Sequence, residues 1–325
     1  MLVAAALVPD TVLLVPGASG ATDVHPDLRA HALDAVRAVL ARGPERVVVV
    51  APGVGFEAGQ SVRVTGGPVR ASLAAAGLPD RALAWAGRAG AGARSDGAAD
   101  ATGPAPVGVS ASVAVLLLRV AGWTGPVDVV ETAPSTSADP GSAARLAATG
   151  RDLVADGSPR TGLVVVGSLS ARHGPDAPRA DDERAPGYDA AVLADLADAG
   201  PDALARLAAL DPALAGELDV SGWAPWQVLV GAVRPAGAGA VRDAGADRVH
   251  AGGADAVRPR GAGAGFASPA VTPAGVTVAA PLGAQHVVGT WVVAPEPASE
   301  DSRTPHGGRP TVPAALPAGP WGSGA

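Results

Sequence analysis

Blocks of apolar residues alternate with amphipathic segments along the chain, and they predict strands and helices in turn. Residues 2–8 contain no charged side chain and no polar alternation, which is typical of a strand covered on both faces. Residues 26–42 place apolar side chains at i, i+3 and i+7 and end at Gly43 and Pro44, which terminate helices. Residues 46–51 form another apolar run. The chain therefore begins as strand, helix, strand.

The same alternation continues to residue 293. Further strands are predicted at 127–131, 163–167, 276–280 and 285–293, and further helices at 110–121, 141–155, 186–199, 202–210 and 212–218 and from residue 225. Strands that alternate with helices predict a three-layer α/β fold, with a largely parallel central sheet flanked by helices. Ligands bind beyond the carboxyl ends of such strands. The residues that directly follow each strand are therefore the first candidates for a functional site.

The composition divides the chain into a core and three biased segments. Gly (44 residues) and Pro (31 residues) are abundant, and they concentrate with Ala in residues 87–106, 234–269 and 295–325. These segments have too few large apolar side chains to offset the free energy of ordering the backbone, about 1–2 kcal/mol per residue. We therefore predict one α/β domain over residues 1–294, with flexible inserts at 87–106 and 234–269 and a disordered tail at 295–325.

The missing residue types exclude several classes of chemistry. The chain has no Cys, and all 24 of its basic residues are Arg. Thiol nucleophiles, thiolate metal sites, Schiff-base lysines and the lysine of phosphate-binding loops are therefore excluded. The net charge of −7, with no basic run, argues against a nucleic-acid surface. The apolar start is too short to span a bilayer and lacks the basic region of a signal peptide, so a cytoplasmic protein without membrane contact is predicted.

Short sequence motifs give little support to nucleotide binding or to serine hydrolysis. Residues 53–58 match the dinucleotide-binding pattern G-x-G-x-x-A, but the residues that follow favour extended chain, whereas that motif requires a helix. The sequence contains no G-x-S-x-G, the turn that carries the serine of many hydrolases. Residues two to five apart seldom supply both nucleophile and base, so Ser168 and Ser170 are not predicted as partners of His173.

One of the six histidines lies where α/β proteins usually have their active sites. His173 lies beyond the carboxyl end of the predicted strand 163–167, and an imidazole titrates near neutral pH. His286 lies inside a predicted strand and is interpreted as a packed core residue, whereas His25 and His31 are expected at the surface of the first helix. His173 is therefore the candidate for acid–base chemistry.

Five segments, taken in order, are similar to a known family. They are residues 4–16, residues 164–173 with the pattern G-S-x-S-x-x-H, residues 185–189, residues 221–229 and residues 280–291. In this order they resemble the LigB-like superfamily, the class III extradiol ring-cleavage dioxygenases, which also includes the MEMO-like proteins. The resemblance spans the predicted domain apart from its biased segments, and it implies a LigB-like α/β fold.

The resemblance implies an iron site and a histidine that transfers protons. Active members of the family hold Fe(II) with two histidines and a glutamate, and they open the ring of a catechol. A separate histidine transfers protons during ring opening, and it corresponds to His173. The resemblance therefore assigns His173 the catalytic role.

The metal positions that the resemblance implies are changed in this chain. The first histidine corresponds to Asp10, the second falls on or beside Gly53, and the glutamate region at 222–226 contains two tryptophans and no carboxylate. Of these positions, only Asp10 keeps a side chain that can bind a metal ion. Glu57 or Glu131 would have to lie close to Asp10 to supply another carboxylate.

Two hypotheses of different classes are therefore open. The first is a LigB-like extradiol aromatic ring-opening dioxygenase, an oxidoreductase of the non-heme iron class with a degenerate metal site, in which His173 is catalytic and Asp10 is a remnant ligand of Fe(II). The second is a non-catalytic MEMO-like binding protein that uses the same cleft and needs no cofactor. Under either hypothesis the expected partner is a small aromatic molecule.

Overall fold

The apolar runs of the sequence form the strands of a central sheet, and the amphipathic segments form its helices. The computed structural model describes residues 1–20, 23–79, 104–234, 271–279 and 284–293. The strands are β1 (Leu2–Val8), β2 (Arg46–Pro52), β3 (Val62–Thr65), β4 (Val69–Arg70), β5 (Ala105–Pro106), β6 (Val127–Thr132), β7 (Thr161–Val166), β8 (Val271–Ala279) and β9 (His286–Val293). The helices are α1 (Pro26–Leu40), α2 (Val109–Val120), α3 (Ser142–Leu153), α4 (Ala185–Asp198), α5 (Pro201–Ala208), α6 (Pro212–Glu217) and α7 (Trp223–Val233). Not one of the helices in these ranges combines the length and the apolar character that crossing a membrane requires.

Seven strands form one sheet in the order β3-β6-β2-β7-β1-β9-β8, while β4 and β5 form a separate pair. The four central strands β6, β2, β7 and β1 run parallel to one another. β3 is antiparallel to β6, β9 is antiparallel to β1, and β8 is antiparallel to β9. The predicted α/β class with a central sheet flanked by helices is confirmed. The sheet is mixed, because antiparallel strands flank the parallel centre on both sides.

Successive residues of the central strands face opposite layers of helices. Ala4, Ala6 and Val8 of β1 belong to one apolar cluster, with α1 and α2, whereas Ala5 and Leu7 belong to a second, with α3 to α7. All five residues are at most 1 % exposed. Because both faces of the sheet are buried at β1, β2 and β7, these central strands need apolar side chains at nearly every position. This explains why the strand segments show no polar alternation.

The boundaries of several elements differ from those predicted. β8 begins at Val271, five residues before the predicted strand 276–280, and β3, β4 and β5 were not predicted as strands. β5 consists of residues 105 and 106, the end of the predicted insert 87–106. The residues of this insert up to 103, the predicted insert from 235 to 269 and the predicted tail at 295–325 lie outside the described residues.

Candidate functional site

The carboxyl ends of the four parallel strands lie at one edge of the sheet, here called the strand-end edge. Asp10 follows β1 by two residues, and Ser168 follows β7 by two residues. β9 runs antiparallel to β1, so its first residue, His286, lies at the same edge. α1 returns from this edge toward the start of β2, and His25 directly precedes it. The fold therefore brings a carboxylate, a hydroxyl and two imidazoles to the strand-end edge from four separate segments.

Ser168 joins Asp10 and His286 in a hydrogen-bonded chain, here called the Asp–Ser–His chain. Ser168 Oγ lies 2.6 Å from Oδ1 of Asp10 and 2.8 Å from Nδ1 of His286. A hydroxyl carries one proton, and a carboxylate can only accept. Ser168 therefore donates its proton to Asp10 and accepts a hydrogen bond from the Nδ1–H of His286. In the neutral imidazole, this assignment leaves Nε2 unprotonated.

The environment of His286 favours its neutral form. The residue is 5 % exposed. Burial, the largest effect, lowers the pKa of its imidazole from the ordinary 6.5, while the nearby Asp10 raises it and the positive charge of His25 lowers it. Because burial dominates, His286 is neutral at pH 7 and carries a lone pair on Nε2.

The start of α7 holds the backbone of Ser168 in place. Ser168 N donates to Oγ of Ser221 at 2.8 Å, and Gly222 N donates to Ser168 O at 3.0 Å. A Cβ at Gly167 would lie 2.4 Å from Cα of Gly222, so this close approach requires glycine at position 167. The position of the Ser168 hydroxyl therefore depends on the packing of β7 against α7.

His173, the predicted acid–base residue, pairs with a carboxylate of α4. Its Nε2 lies 3.0 Å from Oδ2 of Asp189, at ion-pair distance but without the alignment of a hydrogen bond. Asp189 is completely buried, and its Oδ1 accepts from Ser170 N at 3.1 Å. Burial raises the pKa of Asp189 to about 6, although the Ser170 N–H and the charge of His173 act in the opposite direction. The His173 side chain is 22 % exposed, so the pair links a buried carboxyl to a surface imidazole.

Asp10 and His173 thus belong to two different clusters. Ser168 contacts Asp10, and the Ser170 backbone contacts Asp189, so the segment that follows β7 serves both clusters. Within the part of the chain that the structure describes, no hydrogen bond or ion pair joins Asp10 to His173.

The position that the resemblance assigns to a second iron-binding histidine has no room for a side chain. A Cβ at Gly53 would lie 2.8 Å from Cβ of Glu131 and 3.0 Å from the ring of Phe56. Glu131 itself is 3 % exposed; its Oε2 accepts two hydrogen bonds from Arg63, at 3.0 and 2.9 Å, and its Oε1 accepts one from Gly108 N at 3.0 Å. Glu131 is therefore a structural carboxylate with its oxygens already bound.

The described residues do not assemble the Fe(II) ligands that the resemblance implies. No three His, Asp or Glu side chains in the described ranges are grouped so that they could hold a metal ion. Trp223 and Trp226, which stand in the glutamate region, are each 1 % exposed and pack in the core. Asp10 is engaged by Ser168. The residues at these three positions therefore do not fit an iron centre held by two histidines and a carboxylate.

A shallow depression of about 10 Å³ lies at the same edge, beside the end of β6. Its lining comes from residues 59–61, from residues 133, 134, 137 and 138, from Ser142, Arg145 and Leu146 of α3, and from Trp223. This volume holds about one water molecule. None of the three residues of the Asp–Ser–His chain belongs to its lining.

His286 and Ser168 are functional candidates that sequence reasoning missed. His286 is buried, as its interpretation as a core residue requires, but its imidazole binds Ser168. In the β1–β9 pairing Leu7 lies opposite Gly289. Continuing this register by three residues places Asp10 opposite His286. What brings His286 to Asp10 is therefore the antiparallel pairing of the last strand with β1, and the sequence does not reveal the register of that pairing.

No protein-family model matches the chain, and no curated protein matches it.

Proposed function

We propose that this chain is a LigB-like protein with a degenerate metal site that binds a small aromatic hydroxyl compound at the strand-end edge. The observation that carries the proposal is the Asp–Ser–His chain, formed by Asp10, Ser168 and His286. The resemblance places an iron ligand at position 10, and here that residue is a carboxylate bonded to a hydroxyl.

The polar groups of this edge suit a phenolic ligand. A phenol or catechol hydroxyl donates one hydrogen bond, and both the second oxygen of Asp10 and Nε2 of His286 are acceptors. Asp10 is half-buried, so its carboxylate lies at the surface end of the Asp–Ser–His chain. Binding by hydrogen bonds to protein groups requires no metal ion, in agreement with the missing ligand set.

A ring-opening dioxygenase is the second candidate, and one observation favours it. The resemblance assigns proton transfer to His173, and this imidazole lies 3.0 Å from the buried carboxylate of Asp189. A buried carboxylate paired with a partly exposed imidazole is a common arrangement in acid–base catalysis. This candidate needs iron ligands that the described residues do not assemble.

Anaerobic loading with Fe(II), followed by desalting, separates the two candidates. Under the binding proposal we expect the protein to retain almost no iron and to form no yellow ring-opened product from catechol in air. EDTA-treated protein should nevertheless bind 4-nitrocatechol in equilibrium dialysis. Retention of about one iron per chain, with a yellow product that the His173→Gln variant no longer forms, would establish the dioxygenase instead. Failure to bind either iron or 4-nitrocatechol would contradict both candidates.

A further inference from the structure

We infer that Nε2 of His286 accepts a proton from the hydroxyl of the bound ligand, and that Ser168 and Asp10 hold this imidazole in the accepting state. The inference rests on the proposed function and specifies its ligand class: a phenol acidic enough to give its proton to an imidazole. Neither the resemblance nor the sequence pattern assigns a role in proton transfer to His286.

The hydrogen bonds around His286 determine which nitrogen is available. Nδ1 lies 2.8 Å from Ser168 Oγ, whose own proton goes to Asp10. Nε2 makes no hydrogen bond to any residue in the described ranges. An imidazole that donates from Nδ1 and has a lone pair on Nε2 takes up a proton at Nε2.

The proton transfer is balanced without any further reactant. The O–H bond of the phenol breaks and an N–H bond forms at Nε2, so the ligand becomes a phenolate and His286 becomes an imidazolium. The Nδ1–H of the imidazolium still donates to Ser168, and Ser168 still donates to Asp10. The negative charge of Asp10 therefore stabilises the imidazolium through the intervening hydroxyl. Among the described residues, Asp10 and His25 are the titratable groups that act on His286, and the positive form of His25 opposes the transfer.

The same geometry argues against Ser168 as a nucleophile. The Ser168 proton goes to Asp10, and the imidazole donates to the hydroxyl instead of removing its proton. The neighbouring backbone N–H groups are also engaged: Gly167 donates to Val8 O at 2.9 Å, Ser168 to Ser221 Oγ at 2.8 Å and Leu169 to Gln285 O at 3.0 Å. None of these three is free to stabilise an oxyanion beside the hydroxyl.

NMR of the full chain labelled with ¹⁵N-histidine tests the tautomer without any ligand. For His286 at pH 7 we expect a protonated Nδ1 and a bare Nε2, with the signal identified by its loss in the His286→Gln variant. The Ser168→Ala variant removes the acceptor of the Nδ1–H, so its His286 signal should shift toward the other tautomer. An Nε2–H tautomer, or an imidazolium at pH 7, in the unmodified protein would overturn the inference even if no variant folds.

The absorption spectrum of 4-nitrocatechol tests the proton transfer, because deprotonation moves its absorption to longer wavelength. At a pH just below the pKa of the free compound, we expect EDTA-treated protein to bind it and to produce this shift. His286→Gln should lose the shift and bind about tenfold more weakly. Asp10→Asn should bind with a smaller shift, because the charge that stabilises the imidazolium is gone. His31→Gln, an exposed histidine of α1, is the matched control and should behave as the unmodified protein.

The outcomes separate this inference from the proposed function. Absence of 4-nitrocatechol binding by the unmodified protein contradicts the proposed function and, with it, this role of His286. Binding without a spectral shift, or a shift that persists in His286→Gln, contradicts the inference alone. Because a purely structural role of the Asp–Ser–His chain would change folding but not the spectrum of the bound ligand, the shift reports specifically on proton transfer.

Discussion

At the carboxyl end of β2, the packing of Gly53 against Glu131 shows how a single residue limits the chemistry of the strand-end edge. The Cβ of any larger residue at position 53 would lie 2.8 Å from Cβ of Glu131, an atom close to the backbone that cannot move aside easily. Glu131 is held in turn by Arg63 and by Gly108 N. The small residue at position 53 and the buried carboxylate at position 131 therefore depend on each other.

Restoring a histidine at position 53 should not restore an iron site. We expect Gly53→His to lower the free energy of unfolding by about 2–3 kcal/mol, because overpacking next to Glu131 forces the backbone to shift. Gly53→Ala, which adds only the Cβ, is the control and should cost less. Urea unfolding followed by tryptophan fluorescence measures both, and metal analysis after Fe(II) loading measures iron. A Gly53→His variant of unchanged stability that retains iron would show that the strand end has room for the ligand.

At the scale of elements, α3 and α7 cross at two glycines. A Cβ at Gly150 of α3 would lie 1.9 Å from Val228 O, and a Cβ at Gly231 of α7 would lie 2.0 Å from Ala147 O. The two helix backbones are therefore in direct contact. α7 also begins next to Ser168, since Gly222 N donates to Ser168 O. The helix crossing consequently helps to position the strand-end edge.

Adding one methyl group at this crossing should be costly. We expect Gly150→Ala to lower the free energy of unfolding by about 2–3 kcal/mol, because the added atom meets the backbone of α7. Gly187→Ala in the first turn of α4 is the matched control: a Cβ there meets nothing within 4 Å. This change should raise stability by about 0.5–1 kcal/mol through helix propensity. Equal effects of the two substitutions in urea unfolding would contradict the close crossing.

At the scale of the whole molecule, two buried titratable groups give the stability opposite dependences on pH. Burial raises the pKa of Asp189 from 3.8 to about 6, so the folded chain binds more protons than the unfolded chain between these values. Stability from this group is therefore lost as pH rises through about 6. Burial lowers the pKa of His286 below 6.5, so its contribution increases as pH rises toward 6.5.

Comparison of variants isolates the contribution of Asp189. The difference in free energy of unfolding between the unmodified protein and Asp189→Asn should decrease by up to about 3 kcal/mol as pH rises from about 4 to 7, because only the unmodified protein must ionise a buried carboxyl. In His173→Gln the loss should be larger and should extend to higher pH, because the charge of His173 favours the ionised carboxyl and its removal raises the pKa of Asp189 further. Urea unfolding at a series of pH values measures all three proteins. Parallel curves for the unmodified protein and Asp189→Asn would contradict this account.

The sequence located part of the candidate site, and particular residues show why it did not locate the rest. Asp10 and His173 were predicted because each lies beyond the carboxyl end of an apolar strand. The structure joins Asp10 to Ser168 and pairs His173 with Asp189 instead of bringing the two together. Asp189, the partner of His173, lies 16 residues farther along in α4, and helical spacing does not indicate which of its polar residues turns inward. His286 was interpreted as a packed core residue because apolar residues surround it in the sequence. It is indeed buried, but the sequence pattern does not show that its imidazole contacts Ser168.

The amino-acid sequence by itself determined the layers of the molecule and the classes of chemistry that are absent. Strands covered on both faces need continuous apolar side chains, and a chain without Cys or Lys cannot form thiolate or Schiff-base sites. Only the tertiary structure decided that Asp10, Ser168 and His286 meet. Their contact depends on the order of the strands and on the register of β9 against β1, and hydrophobic periodicity specifies which face a residue occupies but not which strand lies beside it.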